Sequence, residues 1–393
     1  MTNSYISYGN QNLNKQDVTA VVKTLKSKFL TTGPKVKEFE QKFLNYVGSK
    51  YAISCNNGTS ALHIAFKAIN ILPGDKIILP SINFIAAANM AKLLRAKIFL
   101  ADVDSLTGQM TPENLKNCIK KNKLKKLKAF CVMHNGGEPS NMKEFYKIKK
   151  KLNCFLIEDA CHALGAKYSI KKKFKVGSCR YSDISTFSFH PVKSITSGEG
   201  GMITTNNIKF KRFAEIFRNH GMIKNIKKKK NNWSYKIIDT GFNYRLSDIQ
   251  SALGCSQLKK LNGFIKKRNE IAKLYNKLFL NNDLIIKRKN FSEDILSAYH
   301  LYVVNINFNK LNISKENIIQ KLHTKNIGVQ VHYIPTFLQP NFKYLLKKNE
   351  NFFGANNFFK TALSLPIYPN LNKNKILKVA KTLNRLIQEN VKK

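Results

Sequence analysis

Three short stretches carry groups whose types could act together on one bound molecule. The first is TFSFHPVKSITSGEGGMITTN, residues 186–206. There Lys193 stands alone between an apolar, β-prone run broken by Pro191 and a glycine-rich turn that leads into a second apolar run. A lysine partly desolvated in a crevice has a lowered pKa and can form a Schiff base with a carbonyl. The second stretch, NCFLIEDACHALGA, places Glu158 and Asp159 directly after an apolar strand. Successive strand residues point to opposite sides, so one of the two meets the crevice at the strand's C-terminal end. A carboxylate there could hold a proton on a ring nitrogen; alternatively, Asp159 caps the next helix. The third stretch, CNNGTSALHIAF, puts Asn57-Gly58-Thr59-Ser60 at a strand-to-helix turn. Free backbone N–H groups and the helix dipole favour a phosphate there, although a capped helix with a glycine turn would read the same way.

The elements that must position these groups alternate in type. Short apolar runs at 51–55, 76–80, 97–101, 129–133, 155–158, 184–189 and 202–205 are separated by helical patterns such as SALHIAFKAI and NLKNCIKK. Continuous apolar strands joined by helices imply a mostly parallel, seven-stranded α/β sheet flanked by helices. The last two runs are separated only by the Lys193 segment, which predicts an irregularity in the sheet, where sites tend to lie. Residues 206–275 read as long helices. A smaller C-terminal α+β unit follows, with strands in HLYVVNINF and GVQVHYIP and helices in ENIIQKLHTKNI and NKILKVAKTLNRLIQENV. The expected division is a large domain over 1–254, with an N-terminal arm, and a small domain over 255–393. KNIKKKKNN (224–232) reads as an exposed loop.

Pyridoxal phosphate requires a lysine for its aldehyde, an acid on its pyridinium nitrogen and an anion hole for its phosphate. Lys193, Asp159 and the Gly58–Ser60 turn together with Ser188 would supply the three from the ends of neighbouring strands.

Composition removes other classes. The net charge of +45 suggests a nucleic-acid partner at first. However, only 8 of the 68 basic residues are arginine, and the lysines alternate with asparagine along the whole chain. Arginine is the better reader of phosphates and bases, so the bias is read as solvated surface, and no nucleic-acid partner is expected. Seven cysteines without a CxxC pair read as small buried residues of a reducing compartment, and no metal site is expected. The start lacks a basic region followed by an apolar core, and no run is long enough to cross a membrane. A cytoplasmic protein without a membrane partner is expected.

The motifs LTTGPKVKEFEQKF, NGTSALHIA, EDACHALGA, FSFHPVKSITSGEGG, FRNHG, GFNYRLSDIQSALG and GVQVHYIP, spread over nearly the whole chain, resemble the sugar aminotransferases of the DegT/DnrJ/EryC1/StrS family. The resemblance implies the aspartate aminotransferase type I fold and pyridoxal phosphate bound to Lys193. It also implies Asp159 on the pyridine nitrogen, His162 near the ring's 3-oxygen and Phe84 stacked on the ring face. Gly58, Thr59, Ser60 and Ser188 would hold the phosphate, joined by Asn243 of a partner subunit, hence a homodimer with shared sites. Tyr8, Lys28, Phe29, Leu30, Thr31, Gln330, Val331, His332 and Tyr333 would lie over a nucleotide-sugar. The branch that serves pseudaminic acid biosynthesis resembles this chain most. It implies amino transfer, with glutamate as donor, to C4 of a UDP-linked 4-keto-6-deoxy-N-acetyl-hexosamine. Aminotransferases for legionaminic-type or dTDP-linked 4-keto sugars share every catalytic residue and form the alternative; a regulator or nucleic-acid binder on the same fold is a remoter one. Where relatives read His-aromatic-Ala-Gly-Gln-Pro, this chain has His134-Asn135-Gly136-Gly137-Glu138-Pro139, a departure expected near the cofactor face.

Overall fold

The structure, a computed structural model, describes residues 5–139, 141–224, 233–286, 293–347 and 350–392. Its main sheet consists of β1 (Tyr51–Cys55), β2 (Lys76–Pro80), β3 (Lys97–Ala101), β4 (Ala129–Met133), β5 (Phe155–Asp159), β6 (Ile184–Ser188) and β7 (Gly201–Thr205). The order is β1-β7-β6-β5-β4-β2-β3. All pairings are parallel except those of β7, which runs against both β6 and β1. The expected irregularity is therefore this reversal. Residues 189–200 leave β6, carry Lys193 and return as β7 instead of crossing over through a helix.

Aromatic packing fixes where that excursion starts. Phe187 and Phe189, both fully buried, meet Phe43 and Phe39 of the helix Pro34–Val47 edge-on, with ring centroids 5.1 and 5.2 Å apart. Such pairs add about 0.5–1.5 kcal/mol beyond their buried area. Phe189 N–H donates to Gly200 O at 2.8 Å, and Ser197 N–H to Phe189 O at 3.0 Å, closing the neck of the loop.

Residues 206–275 are not continuously helical. A helix spans Ile208–Phe217, then Met222–Lys224 pairs antiparallel with Tyr235–Ile237, and the next helix runs Asp248–Leu278. The break is forced at Gly221, whose φ is +71° and where a Cβ would stand 1.7 Å from the Asp239 carbonyl oxygen. Of the tract 224–232, residues 225–232 lie outside the described residues.

The small unit has an antiparallel sheet of β8 (Ile285–Ile286), β9 (Tyr302–Ile306) and β10 (Ala362–Leu365), with helices Lys315–Thr324 and Lys373–Gln388. GVQVHYIP forms no strand; only Gln330 bridges to Ser364. The expected boundary at 254/255 falls inside the helix Asp248–Leu278. Cys255, Leu258, Leu261, Phe264 and Ile265 of this helix pack with the large core, whereas Ile271, Ala272 and Tyr275 pack with the small one.

Gly254 sets how closely this helix approaches Phe39, because a Cβ there would lie 2.7–2.9 Å from the ring. Helix propensity favours alanine by about 1 kcal/mol, whereas overpacking a tight core costs about 1–3 kcal/mol. Gly254→Ala should therefore lower stability by about 1 kcal/mol in urea unfolding; a stabilised variant would show that Phe39 moves aside freely.

Candidate active site

Strands β5 and β6 are parallel neighbours, so their C-terminal ends open on one crevice. The two carboxylates at the end of β5 take opposite sides of the sheet and opposite environments. Glu158 is fully buried, with Oε1 2.6 Å from His134 Nε2 and hydrogen-bonded by Tyr168, while Oε2 accepts from Ser182 at 3.1 Å and from Ser185. Burial alone would raise its pKa, but the bonds from His134, Ser185 and Tyr168 outweigh it and hold the carboxyl below its ordinary value. Asp159 faces Lys193 instead. Its Oδ1 accepts from Cys161 N–H at 3.2 Å, and burial raises its pKa against the opposing pull of Cys161 and Lys193.

Lys193 answers in kind. Burial lowers its pKa, and Cys161 and Asp159 restore only part of the loss. Two opposite charges that each shift toward neutrality show that the loss of water outweighs their attraction. Lys193 Nζ lies 3.5 Å from Nε2 of His300, a residue that the sequence reading missed.

His162 is buried three residues beyond Asp159. Gly136 N–H points at its Nδ1 at 3.4 Å, and its Nε2 is 3.0 Å from the Tyr333 hydroxyl. Burial, then Lys193, pushes its pKa well below normal, so the ring is neutral. An accepting Nδ1 places the proton on Nε2, which donates to the Tyr333 oxygen. Gly136 of the departing segment thus meets the His162 ring.

The strand-to-helix turn after β1 is closed from two sides. A Cβ on Gly58 would lie 2.9 Å from Ser188 Cβ and 3.3 Å from Cys161 Sγ, so only glycine leaves room between the ends of β1, β5 and β6. The N-cap Asn57 accepts Ser60 N–H at 2.8 Å on its side chain and Ala61 N–H at 3.1 Å on its carbonyl. Gly58, Thr59 and Ser60 form the first turn of this helix, where an anion is favoured, and Ser188, whose hydroxyl accepts His190 N–H at 3.4 Å, closes the turn from the side of β6.

The other candidates divide into two groups. Tyr8, His332, Tyr333 and Phe84 gather around the same crevice. The Tyr8 and His332 rings are 5.5 Å apart, and Phe84, half exposed, lies 5.8 Å from Tyr333. His332 Nδ1 is 2.9 Å from Ser364 Oγ, and burial with nearby Lys193 lowers its pKa to about 4. Gln330 is exposed and Val331 half-buried beside them. Lys28, Phe29, Leu30 and Thr31 form the second group. They are exposed, and their contacts run to the start of the long helix: Asp248 N–H donates to Leu30 O at 3.0 Å, and Thr31 bridges to Ser247. Asn243 is exposed as well, and its neighbour Tyr244 accepts Asn56 N–H at 2.9 Å within the same chain.

Sequence reasoning missed Gln257 in addition to His300. This fully buried side chain donates to Asn12 O at 2.9 Å and Asp17 Oδ2 at 3.0 Å, and accepts from Thr196 N–H at 3.5 Å. It ties the N-terminal arm to the Lys193 loop. An interior glutamine in a helical pattern carries no signal of such a role.

The model of the DegT/DnrJ/EryC1/StrS aminotransferase family matches residues 11–384. The UDP-4-amino-4,6-dideoxy-N-acetyl-beta-L-altrosamine transaminase of Campylobacter jejuni subsp. jejuni serotype O:23/36 (strain 81-176) is 39% identical over 391 residues, 99% of either chain. Among solved structures, Helicobacter pylori PseC, an aminotransferase involved in the biosynthesis of pseudoaminic acid, superposes with a TM-score of 0.90 at 30% identity, covering 98% of this chain and 100% of its own. A Streptococcus pneumoniae chain assigned as a sugar aminotransferase, in its PMP-form, gives 0.88 at 26% identity over 98% and 99% of the two chains.

The opposed carboxylates make a prediction of sign. Asp159 binds its proton more tightly folded than unfolded, so its contribution is full below the ordinary carboxylate pKa of 3.8 and is lost as pH rises through the raised value. Asp159→Asn should therefore melt higher than wild type at neutral pH in the cofactor-free protein, the gain shrinking as pH falls. A lower melting temperature at neutral pH would show that the carboxylate is stabilised where it stands. Glu158→Gln should do the reverse, since the depressed pKa of Glu158 contributes stability above the ordinary value of 4.5 that is lost on acidification.

Proposed function

The chain belongs to the DegT/DnrJ/EryC1/StrS aminotransferase family, and on that premise we propose that it transfers an amino group to C4 of a UDP-linked 4-keto-6-deoxy-N-acetyl-hexosamine. The observation that carries the reading is the meeting of Lys193, Asp159 and the Gly58 turn at the C-terminal edge of one sheet, in a chain whose relatives include a transaminase named for a 4-amino sugar nucleotide. A C4 amine made by transamination comes from a C4 ketone, which defines the acceptor; glutamate is proposed as the donor and pseudaminic acid biosynthesis as the setting.

Pyridoxal phosphate is the cofactor of this aminotransferase, and the donor set fits it. The glycine cradle and its hydroxyls suit a phosphate, buried Asp159 suits a protonated ring nitrogen, and a lysine held toward its neutral form suits an aldehyde. When bound, the cofactor supplies an aldehyde that takes up amines and a ring that spreads negative charge. In this proposal Lys193 would hold it and, as a free amine, would take a proton from the substrate carbon as base and return one as acid. Asp159 keeps the proton on the ring nitrogen. Neutral His162, its tautomer set by Gly136 and Tyr333, would contact the cofactor ring, and Phe84 would stack on it. Thr59, Ser60 and Ser188 hold the phosphate, joined by Asn243 of a second copy. Tyr8, His332 and Tyr333, with Lys28–Thr31 and Gln330-Val331, receive the nucleotide-sugar. A homodimer in the cytoplasm completes the proposal; no described helix is long and apolar enough to cross a membrane.

A panel of 4-keto nucleotide-sugars offered with glutamate tests the substrate: the UDP-linked N-acetyl sugar should be aminated fastest, and preference for a dTDP-sugar would displace it. Borohydride should fix the cofactor on Lys193, and Lys193→Ala should fold yet lose turnover by at least about 100-fold. Mapping the adduct to another lysine would overturn the site.

Mixing inactive mutants tests the shared site. Lys193→Ala and Asn243→Ala subunits, reassorted, put half of the dimers in mixed form with one intact site each, so activity should recover to about a quarter of wild type. No recovery, with Asn243→Ala itself clearly impaired, would mean that Asn243 serves its own subunit.

A further inference from the structure

His300 belongs to none of the roles above, yet it is the side chain that Lys193 meets. It lies in SAYHLYVV, just before β9 of the small unit, and its side chain reaches the Lys193 amine. Three features build its position. Gly137, at φ +102°, brings the chain against it: a Cβ there would stand 2.5 Å from His162 O and 3.1 Å from His300 N. Ala298 N–H donates to Gly137 O at 2.8 Å, and Leu301 N–H to Gly136 O at 3.3 Å. Buried Arg268 then spans the Tyr299 carbonyl at 3.1 Å, the His300 carbonyl at 3.3 Å and the Ile367 carbonyl at 2.9 Å. The backbone on either side of the imidazole is thus pinned, and Tyr299 takes a φ of +42° to fit.

The ring itself is only 4% exposed; its centroid is 4.1 Å from that of His162, and its Nδ1 has no partner among the described residues. A buried polar atom without a partner is costly, so a histidine held there by so many backbone bonds calls for a purpose at its other nitrogen. That nitrogen, Nε2, is 3.5 Å from Lys193 Nζ.

We propose that His300 is the positioning residue of Lys193: Nε2 accepts a hydrogen bond from Nζ whenever the amine is not bonded to the cofactor, leaving the amine's lone pair aimed into the crevice. With Nε2 accepting, the proton sits on Nδ1. The ring stays neutral because burial, then His162, Lys193, Arg268 and His332, all disfavour a second proton. Without this contact, the four-carbon arm of the lysine would sample several rotamers each time that it is released.

The inference rests on Lys193 being the residue that bonds the cofactor. The test uses cofactor-stripped full-length protein and two probes. Pyridoxal phosphate reports capture by Lys193, followed as the rate of the colour change; pyridoxamine phosphate fills the same cradle without needing the lysine. His300→Leu should slow capture by about tenfold, the worth of one well-placed hydrogen bond, while pyridoxamine phosphate affinity stays within about twofold. His300→Gln, whose Oε1 reaches the Nε2 position, should capture within about threefold of wild type, and His300→Asn, which stops short of Nζ, should behave like the leucine variant. The glutamine and asparagine pair suffices if His300→Leu does not fold. Capture at wild-type rate in the leucine or asparagine variant, or equal weakening of both probes, overturns the proposal; an adduct mapped to a different lysine overturns the underlying reading instead.

Discussion

Placing an amine and a carboxylate out of water in the same crevice is unfavourable, and much of the architecture exists to make it stand. Each group alone would escape to solvent or change protonation. Here Asp159 ends a central strand and cannot move without dragging β5, whereas Lys193 sits in a loop whose neck is clamped by Phe189 and whose crown is tied by Gln257 to the N-terminal arm. The reversal of β7 makes this possible. A helical crossover after β6 would carry the chain over one face of the sheet, but a return hairpin keeps it at the C-terminal edge, where Asp159 and the Gly58 turn already are. The site's tension is thus carried by the rest of the large core.

The same strand shows how little sequence distance is needed to obtain two kinds of carboxyl. Glu158 and Asp159 are adjacent and both buried, yet one is surrounded by an imidazole and three hydroxyls and the other by one backbone amide and a lysine. On the far side the hydrogen bonds compensate for burial, and the charge is structural. On the crevice side compensation is left incomplete, and burial prevails. This contrast is why the pKa shifts of the two groups have opposite signs.

The strands were legible because parallel, doubly covered strands are continuous apolar runs; all seven lie within a residue of where the pattern puts them. Lys193, Asp159 and the Gly58 turn were legible for a different reason: each interrupts a regular element with a residue type that the element does not need. Where the reading failed, the deciding contacts are distant in sequence. VQVH alternates like a strand, but Ser364 offers Gln330 a single bridge and no ladder. The four residues of β10 carry too short a pattern to announce themselves, and they pair because β9 is already in place. His300 sits among apolar neighbours as many core histidines do; only Gly137, Arg268 and Lys193, all remote in sequence, give it a function.

The helix Asp248–Leu278 is shared between the two cores, its first half buried in one and its second half in the other. A chain built this way resists being treated as two interchangeable modules. Cutting it between the lobes leaves either a large half missing the wall that covers Phe39 and Phe189, or a small half trailing an apolar stripe of Leu258, Leu261 and Ile265 with nothing to lie against. Exchange of the small unit between relatives must therefore carry this helix whole and match both of its faces at once.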